Sequence, residues 1–556
     1  MVQPGDLFNS VGRDTAIGRA RSSAKDVARA LKSAAAVVMS ASSGIGLRSA
    51  GTFARRSAIP ALRPRTSPAS GVGGSSVRLR FLIMLAVAVA SRAMTFGNPI
   101  VYTDEEFYFA AARAITNGAL PFVDIWDRKP IGLFLAYLLP ASLPWPLGIW
   151  LYQLMALLCA IATAWLVARL ADGAGWRGGA TLAGVAYIVW ITLAGGQGGQ
   201  SPVLYNPLMA LAALLIVEPS GGARRWRAAT AMLLVGAALQ IKYTVVVEGI
   251  FFGLWLMYLE WRNTSKIKTA LSWGAVLAGI ALLPTAIAAG FYQYLGELDA
   301  FVFANFSSVF ARNPDPVAVE LTNVAKSAVI LLPLVAMAVS SRGTSVEGNA
   351  LSRAFLFGWL GAALLSFALI RPWSVHYTLP VMLPAAILAA GFLGRADRRK
   401  LAIAGICTAA IAGQALLAFS RVQRGTPAEF EAIAKAIGSG PGCLYVYSSS
   451  SMLYPATGRC ALSRYVFPSH LTRAREAGAV GVEQSTELRR IFQAAPAVVV
   501  MSLPYKGERM DIRATALSQL EQHYRLAEQL PLGRKQVSIY VRRAAGIPQT
   551  AVSRFE

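Results

Sequence analysis

The sequence predicts an α-helical polytopic membrane protein that carries a water-soluble α/β domain at its C-terminal end. Three observations point there. Of 556 residues 55% are hydrophobic and 15% are charged, whereas an ordinary soluble domain carries roughly 25% charge. Long apolar runs fill the chain from Phe81 to Ser420. Beyond them, short apolar runs alternate with polar helical stretches, the pattern of a small α/β unit.

The same composition removes several function classes. Three histidines (His376, His470, His523) and four scattered cysteines build neither an HExxH nor a paired CxxC zinc site. No GK[ST] phosphate loop and no G-x-S-x-G elbow occurs, which sets aside P-loop pumps and serine hydrolases. A net charge of +25 would suit a nucleic-acid partner only if it were clustered on one face.

Taken in order, residues 1–78 are rich in Arg, Ser, Gly and Pro, with only Asp6, Asp14 and Asp26 as acids. They read as a disordered basic extension or as an over-long start to the reading frame. A membrane domain is expected over 79–421. Its apolar runs of about 17–25 residues are 81–97, 148–170, 177–195, 203–218, 226–241, 243–261, 268–292, 322–341, 351–370, 375–395 and 399–420, about eleven spans. Ile131–Ala141, between prolines, is too short and reads as interfacial or re-entrant. Basic loops alternate with nearly Lys/Arg-free ones, so the positive-inside rule places the first loop, 98–130, and everything after Ser420 on the outer, periplasmic side of an inner membrane. Residues 425–556 form the soluble domain, with strands expected at 443–447, 497–502 and 537–541 and helices at 484–494 and 511–522. Cys443 and Cys460 there either form a disulfide, in an oxidising compartment, or Cys443 simply fills a strand.

The most informative stretch is "YTDEEFYFAAARAITNGALPFVDIWDRKP", residues 102–130. Thr103 and Glu106 form a capping-box pattern, predicting a helix from Asp104 to about Asn117. Phe107, Ala111, Ala114 and Ile115 give it one apolar face, suited to the membrane surface. Asp104, Glu105 and Glu106 are either dipole-favoured first-turn acids or part of a reaction site. A second acidic pair, Asp124 and Asp127, precedes Arg128, Lys129 and Pro130. Lys242 and Arg371 are cations on the expected outer side, at span ends, where charge is costly and an anionic ligand explains it. Snorkelling is the other reading of Lys242. Carboxylates beside fixed positive charge are what a phosphate-leaving transfer needs: one takes a proton, and the cations hold the departing phosphate.

This loop resembles the first-loop signature of GT-C glycosyltransferases that use polyprenyl-phosphate sugars. They include protein mannosyltransferases, aminoarabinose lipid A transferases and galacturonosyl transferases of rhizobial type. Asp104-Glu105, Tyr108, Gly118…Pro121-Phe122 and Trp126-Asp127-Arg128-Lys129-Pro130 carry the match, and His376-Tyr377…Pro380…Pro384 adds a weaker one. Ile131 and Phe122 depart from the commoner residues without removing a reacting group. The resemblance implies Asp104 as general base in an inverting displacement, with Glu105 beside it. It implies Lys129, Arg128, Lys242 and Arg371 on the donor phosphate, and Tyr108, Asp124, Asp127, His376 and Tyr377 on substrate.

The expected partners are therefore a polyprenyl-phosphate-linked sugar, an envelope lipid, glycan or protein acceptor, and the membrane, with no nucleic acid. No cofactor is assigned, and a divalent metal on the carboxylates is left open. The glycine-rich stretch 195–202 either lines the donor cavity or is a flexible turn, and the aromatic loop 293–321 is either a gate or surface packing. The rival functions are a lipid or sugar transporter or flippase, which usually shows internal repeats not seen here, and a non-catalytic member of the same fold.

Overall fold

The computed structural model describes residues 73–217, 224–343 and 350–543. The basic extension expected up to 78 lies outside them as far as residue 72, and the described chain begins in a helix, Gly73–Arg92. Each apolar run expected as a span lies, over its described residues, mainly in a helix. Among the described residues seven helices are long and apolar enough to cross a membrane. The other four runs lie in Gly73–Arg92, which carries Arg78, Arg80 and Arg92, and in Arg177–Leu193, Ser201–Val217 and Arg224–Leu239, which are shorter. Seven self-sufficient spans thus stand against the eleven expected.

The helix Leu379–Leu393 is the centre of the bundle. It is apolar on every side, and all but one of its residues are buried, which is how a helix without a polar face is accommodated. Leu147–Gly173, Ala180–Leu193, Val317–Ser340 and Ala350–Leu369 surround it. Leu282, Ile287, Leu321, Val329, Ile411 and Phe419 project outward, each more than half exposed, an apolar exterior that water would not tolerate but acyl chains would.

The C-terminal unit starts at the helix Pro427–Ile437, whose capping box joins Thr426 and Glu429. Four strands follow: β1 (Leu444–Ser448), β2 (Val498–Ser502), β3 (Tyr524–Leu532) and β4 (Lys535–Arg542), in the sheet order β1-β2-β4-β3. β1 and β2 pair in parallel, and the β3–β4 hairpin completes the sheet antiparallel to β2. Helices Gln484–Gln493 and Met510–His523 stand where they were expected. β3 was not foreseen: it lies at the sheet edge, five of its first six residues are exposed, and no apolar alternation marks it.

Cys443 and Cys460 are joined by a disulfide 17 residues apart in sequence, and Leu444 N–H donates to the Cys460 carbonyl at 2.9 Å. Closing such a loop restricts the unfolded chain by about 3 kcal/mol. Replacing both cysteines by serine is expected to lower the thermal transition of the C-terminal unit by several degrees in the purified full chain. An unchanged transition would show that the crosslink adds nothing to the sheet.

Candidate active site in the first loop

The helix Thr103–Thr116 presents Asp104, Glu105 and Glu106 in its first turn, where carboxylates complement the helix dipole. The expected capping box is not what holds that turn. Tyr102 is the N-cap and makes no side-chain cap, while the Thr103 hydroxyl accepts from Arg424 and Glu106 pairs with the same guanidinium. Nor does the helix lie on an open surface. Residues 105–112 are all buried, because Phe107 meets Phe134 and Phe467, at 6.1 and 5.4 Å, and so joins the helix Ile131–Ser142 to the C-terminal unit.

Asp104 is half-buried. Gln200 Nε2 donates to its Oδ2 at 3.4 Å. Burial works against its charge, but Lys129, His376, that hydrogen bond and Lys242 outweigh burial and hold the carboxyl below its ordinary value. Lys129 sits 5.6 Å from the centre of the Tyr108 ring and Lys242 4.6 Å from that of Tyr377, positions that favour a cation over a π face. His376 Nδ1 meets the Tyr102 hydroxyl at 3.0 Å. Asp104, Tyr108, Lys129, Lys242, His376 and Tyr377 therefore form one cluster.

Among the described residues Lys242 makes no ion pair, and although the charge of Asp104 favours its ammonium, burial, then the charge of Lys129, pushes it down to about 7. The like charge of Lys129 acting on Lys242 is the arrangement that a further anion relieves. Lys129 keeps 29% side-chain exposure, and its one ion pair is with Asp127 at 3.5 Å. Asp127 is buried and also accepts from the backbone N–H groups of Arg128 and Lys129, so it orients the lysine and does not face a sugar freely.

Glu105 is 1% exposed, and the Gly199 backbone N–H and the charge of Arg424 are what favour its ionised form. It lies against Gly198, where a Cβ would come within 2.1 Å of Oε2, so only glycine admits this approach. Burial, with the neighbouring charges of Asp104 and Glu106, pushes Glu105 up to about 8. Its surroundings thus favour the protonated carboxyl, whereas those of Asp104 favour the carboxylate. The stretch 195–202 thus lines the site through Gly198 and Gln200 and is not a loose turn.

Three expected site residues are engaged elsewhere. Arg128 pairs with Glu476 at 2.6 Å, donates to the Ala479 carbonyl and lies over Trp126, so its charge is matched by the C-terminal unit. Arg371 pairs with Glu320 and is 58% exposed, since its position at the end of Ala350–Leu369 places it beside the start of Val317–Ser340. Asp124 is exposed and accepts the Leu120 N–H at 2.8 Å; it closes the turn at Pro121–Phe122, where Phe122 has φ of 69°.

The C-terminal unit also reaches this loop. Glu476 takes both Arg128 and Arg312, each at 2.6 Å, and these cations pull its carboxyl down to about 2 against burial. His470 packs on Trp126 at 4.8 Å and lies 4.0 Å from Asp127. In the segment 293–321, Phe301 stacks on Tyr292 at 5.1 Å and Arg312 is tied to Glu476, so the segment is held at two points along its length. Arg424, Glu476, Arg312 and His470 were not singled out from the sequence as site residues. Among the described residues no group of three or more His, Cys, Asp and Glu side chains is arranged to hold a metal.

The sequence matches no protein-family model and no curated protein. The structure does have relatives. ArnT from Cupriavidus metallidurans bound to undecaprenyl phosphate aligns with a TM-score of 0.57 at 16% identity, over 84% of this chain and 98% of that one. The apo state of the same protein gives a TM-score of 0.58 over the same shares. The chain has the GT-C fold. The first-loop motif pointed to that fold, and the motif's Asp104 and Lys129 stand at opposite ends of the same loop, with Lys129 over the Tyr108 ring of the helix Thr103–Thr116.

Proposed function

We propose that this chain transfers a sugar from a polyprenyl phosphate to a hydroxyl or phosphate of a cell-envelope acceptor, at the outer face of the membrane. The single observation that carries the reading is the Asp104 cluster: a carboxylate whose charge is favoured by Lys129 and Lys242, the second of which makes no ion pair among the described residues. The ArnT that shares the fold binds undecaprenyl phosphate, and a lipid phosphate is an anion of the right kind for this pair.

In the proposed reaction Asp104 accepts the acceptor's proton as the acceptor oxygen attacks the anomeric carbon in line. The bond from that carbon to the donor phosphate breaks with inversion, and its electron pair leaves on the phosphate oxygen as polyprenyl phosphate. Lys129 and Lys242 stabilise that oxygen without reorganising. Asp127 orients Lys129, and Gln200 orients Asp104. Glu105, neutral and buried, supports the Asp104 backbone turn without adding a second negative charge there.

The test uses purified full chain with undecaprenyl phosphate carrying a hexuronic acid, a pentose or a hexose, together with extracted envelope lipids and glycans. Expected is release of undecaprenyl phosphate with a matching mass gain in one acceptor. No transfer from any donor, together with an unaltered envelope in a deletion strain, would sink the reading.

A further inference from the structure

Arg424 is the last residue of the helix Arg399–Arg424, where the bundle passes into the C-terminal unit. Its guanidinium donates to the Ile100 carbonyl and to the Thr103 hydroxyl, both at 2.9 Å, and pairs with Glu106. These three partners bracket Asp104: one precedes the helix, one is its first residue, and one is its fourth. A planar fork that engages all three fixes the backbone on both sides of Asp104, which a point charge would not do.

The other side of Arg424 is fixed by the sheet. The turn joining β3 to β4 seats on the last turn of Arg399–Arg424, with Arg534 N–H donating to the Gln423 carbonyl at 3.4 Å. Gly533, at φ of 61°, comes so near that a Cβ would fall 2.6 Å from the Gln423 oxygen. Leu532 closes over Gly425, where a Cβ would be 2.9 Å from its Cδ1. A continuous line of contacts therefore runs from the hairpin through Gln423–Gly425 and Arg424 to the first turn of Thr103–Thr116.

We propose that Arg424 is a positioning residue for Asp104, and that through it the C-terminal unit sets the geometry of the transfer site. This rests on the sugar-transfer reading above. Arg424 also neutralises Glu106, whose side chain is 3% exposed, so a purely structural role must be separated from positioning.

R424Q, E106Q, the double variant E106Q/R424Q and D104N are compared in the purified full chain. Readouts are thermal stability, single-turnover sugar transfer, affinity for undecaprenyl phosphate, and hydrogen exchange over 100–108. R424Q alone is expected to lose stability, because it strands a buried carboxylate. The double variant removes that charge and is expected to recover the thermal transition. It should still transfer sugar about 10- to 100-fold more slowly than wild type, as a small misplacement of a reacting group does. Undecaprenyl phosphate affinity should stay within about twofold, and exchange over 100–108 should rise.

A double variant at the wild-type rate with wild-type protection would overturn the proposal, leaving Arg424 as a mere counter-ion. So would undecaprenyl phosphate affinity weakened about tenfold or more, which would place Arg424 on the donor. D104N separates the two levels. If wild type and D104N transfer equally, the Asp104 assignment falls and this proposal with it; if neither transfers sugar, the sugar-transfer reading itself falls. If D104N alone is impaired and the double variant keeps the wild-type rate, only the positioning role falls.

Discussion

Asp104→Asn is expected to lower sugar transfer by about a hundred- to ten-thousand-fold, the range for removing a positioned general base, while the chain still inserts and binds undecaprenyl phosphate. The amide keeps the shape and the Gln200 contact but cannot take the acceptor's proton. The loss should appear in kcat, since the group acts only as the proton moves. Lys129, His376 and Lys242 hold the Asp104 carboxyl below its ordinary value, so the acid limb of kcat/KM should lie below the usual carboxylate range. Glu105→Gln gives the contrast. Glu105 is already neutral near pH 7, its carboxyl being raised to about 8, so the amide should retain most of the activity there. Equal losses in the two variants would remove the distinction between base and support, and a larger loss in Glu105→Gln would reverse it.

Much of this site was legible because it is local. Asp104 and Lys129 fall within one stretch of loop, and the charges that break the positive-inside pattern drew attention to Lys242. Charge alone did not separate Lys242 from Arg371. Both stand at span ends, but Arg371 finds Glu320, and that pairing depends on which helices are neighbours. The capping-box pattern at Thr103 and Glu106 misled for a related reason. Side chains that would satisfy each other in an isolated helix are taken by Arg424, a guanidinium 318 residues from Glu106 in sequence, and no window of sequence contains it. Arg128 is the same case, its partner Glu476 lying in another domain.

The strands divide along similar lines. β1 and β2 are buried along their whole length, so they read as unbroken apolar runs. The edge strand β3 is held by backbone pairing to β4 and by its turn on Gln423–Gly425, and neither contact writes a hydrophobic pattern. The elements that join the C-terminal unit to the site are thus those with the weakest local signal.

Lys129→Met is expected to reduce kcat about a hundred- to a thousand-fold, the usual loss when one preorganised charge is removed from a developing anion, and to weaken undecaprenyl phosphate binding as well. Lys129→Arg should recover binding better than rate, because the larger fork cannot keep both its place over Tyr108 and its contact with Asp127. Lys242→Met should act mainly on the donor and in a pH-dependent way. The free Lys242 ammonium is pushed down to about 7, so it is charged below that pH and loses its proton as pH rises through it. Donor kcat/KM, which reports the free enzyme, should therefore fall above about pH 7 in wild type and flatten there in the methionine variant. A basic limb unchanged by Lys242→Met would mean that another group titrates, and the two-lysine phosphate site would reduce to Lys129 alone.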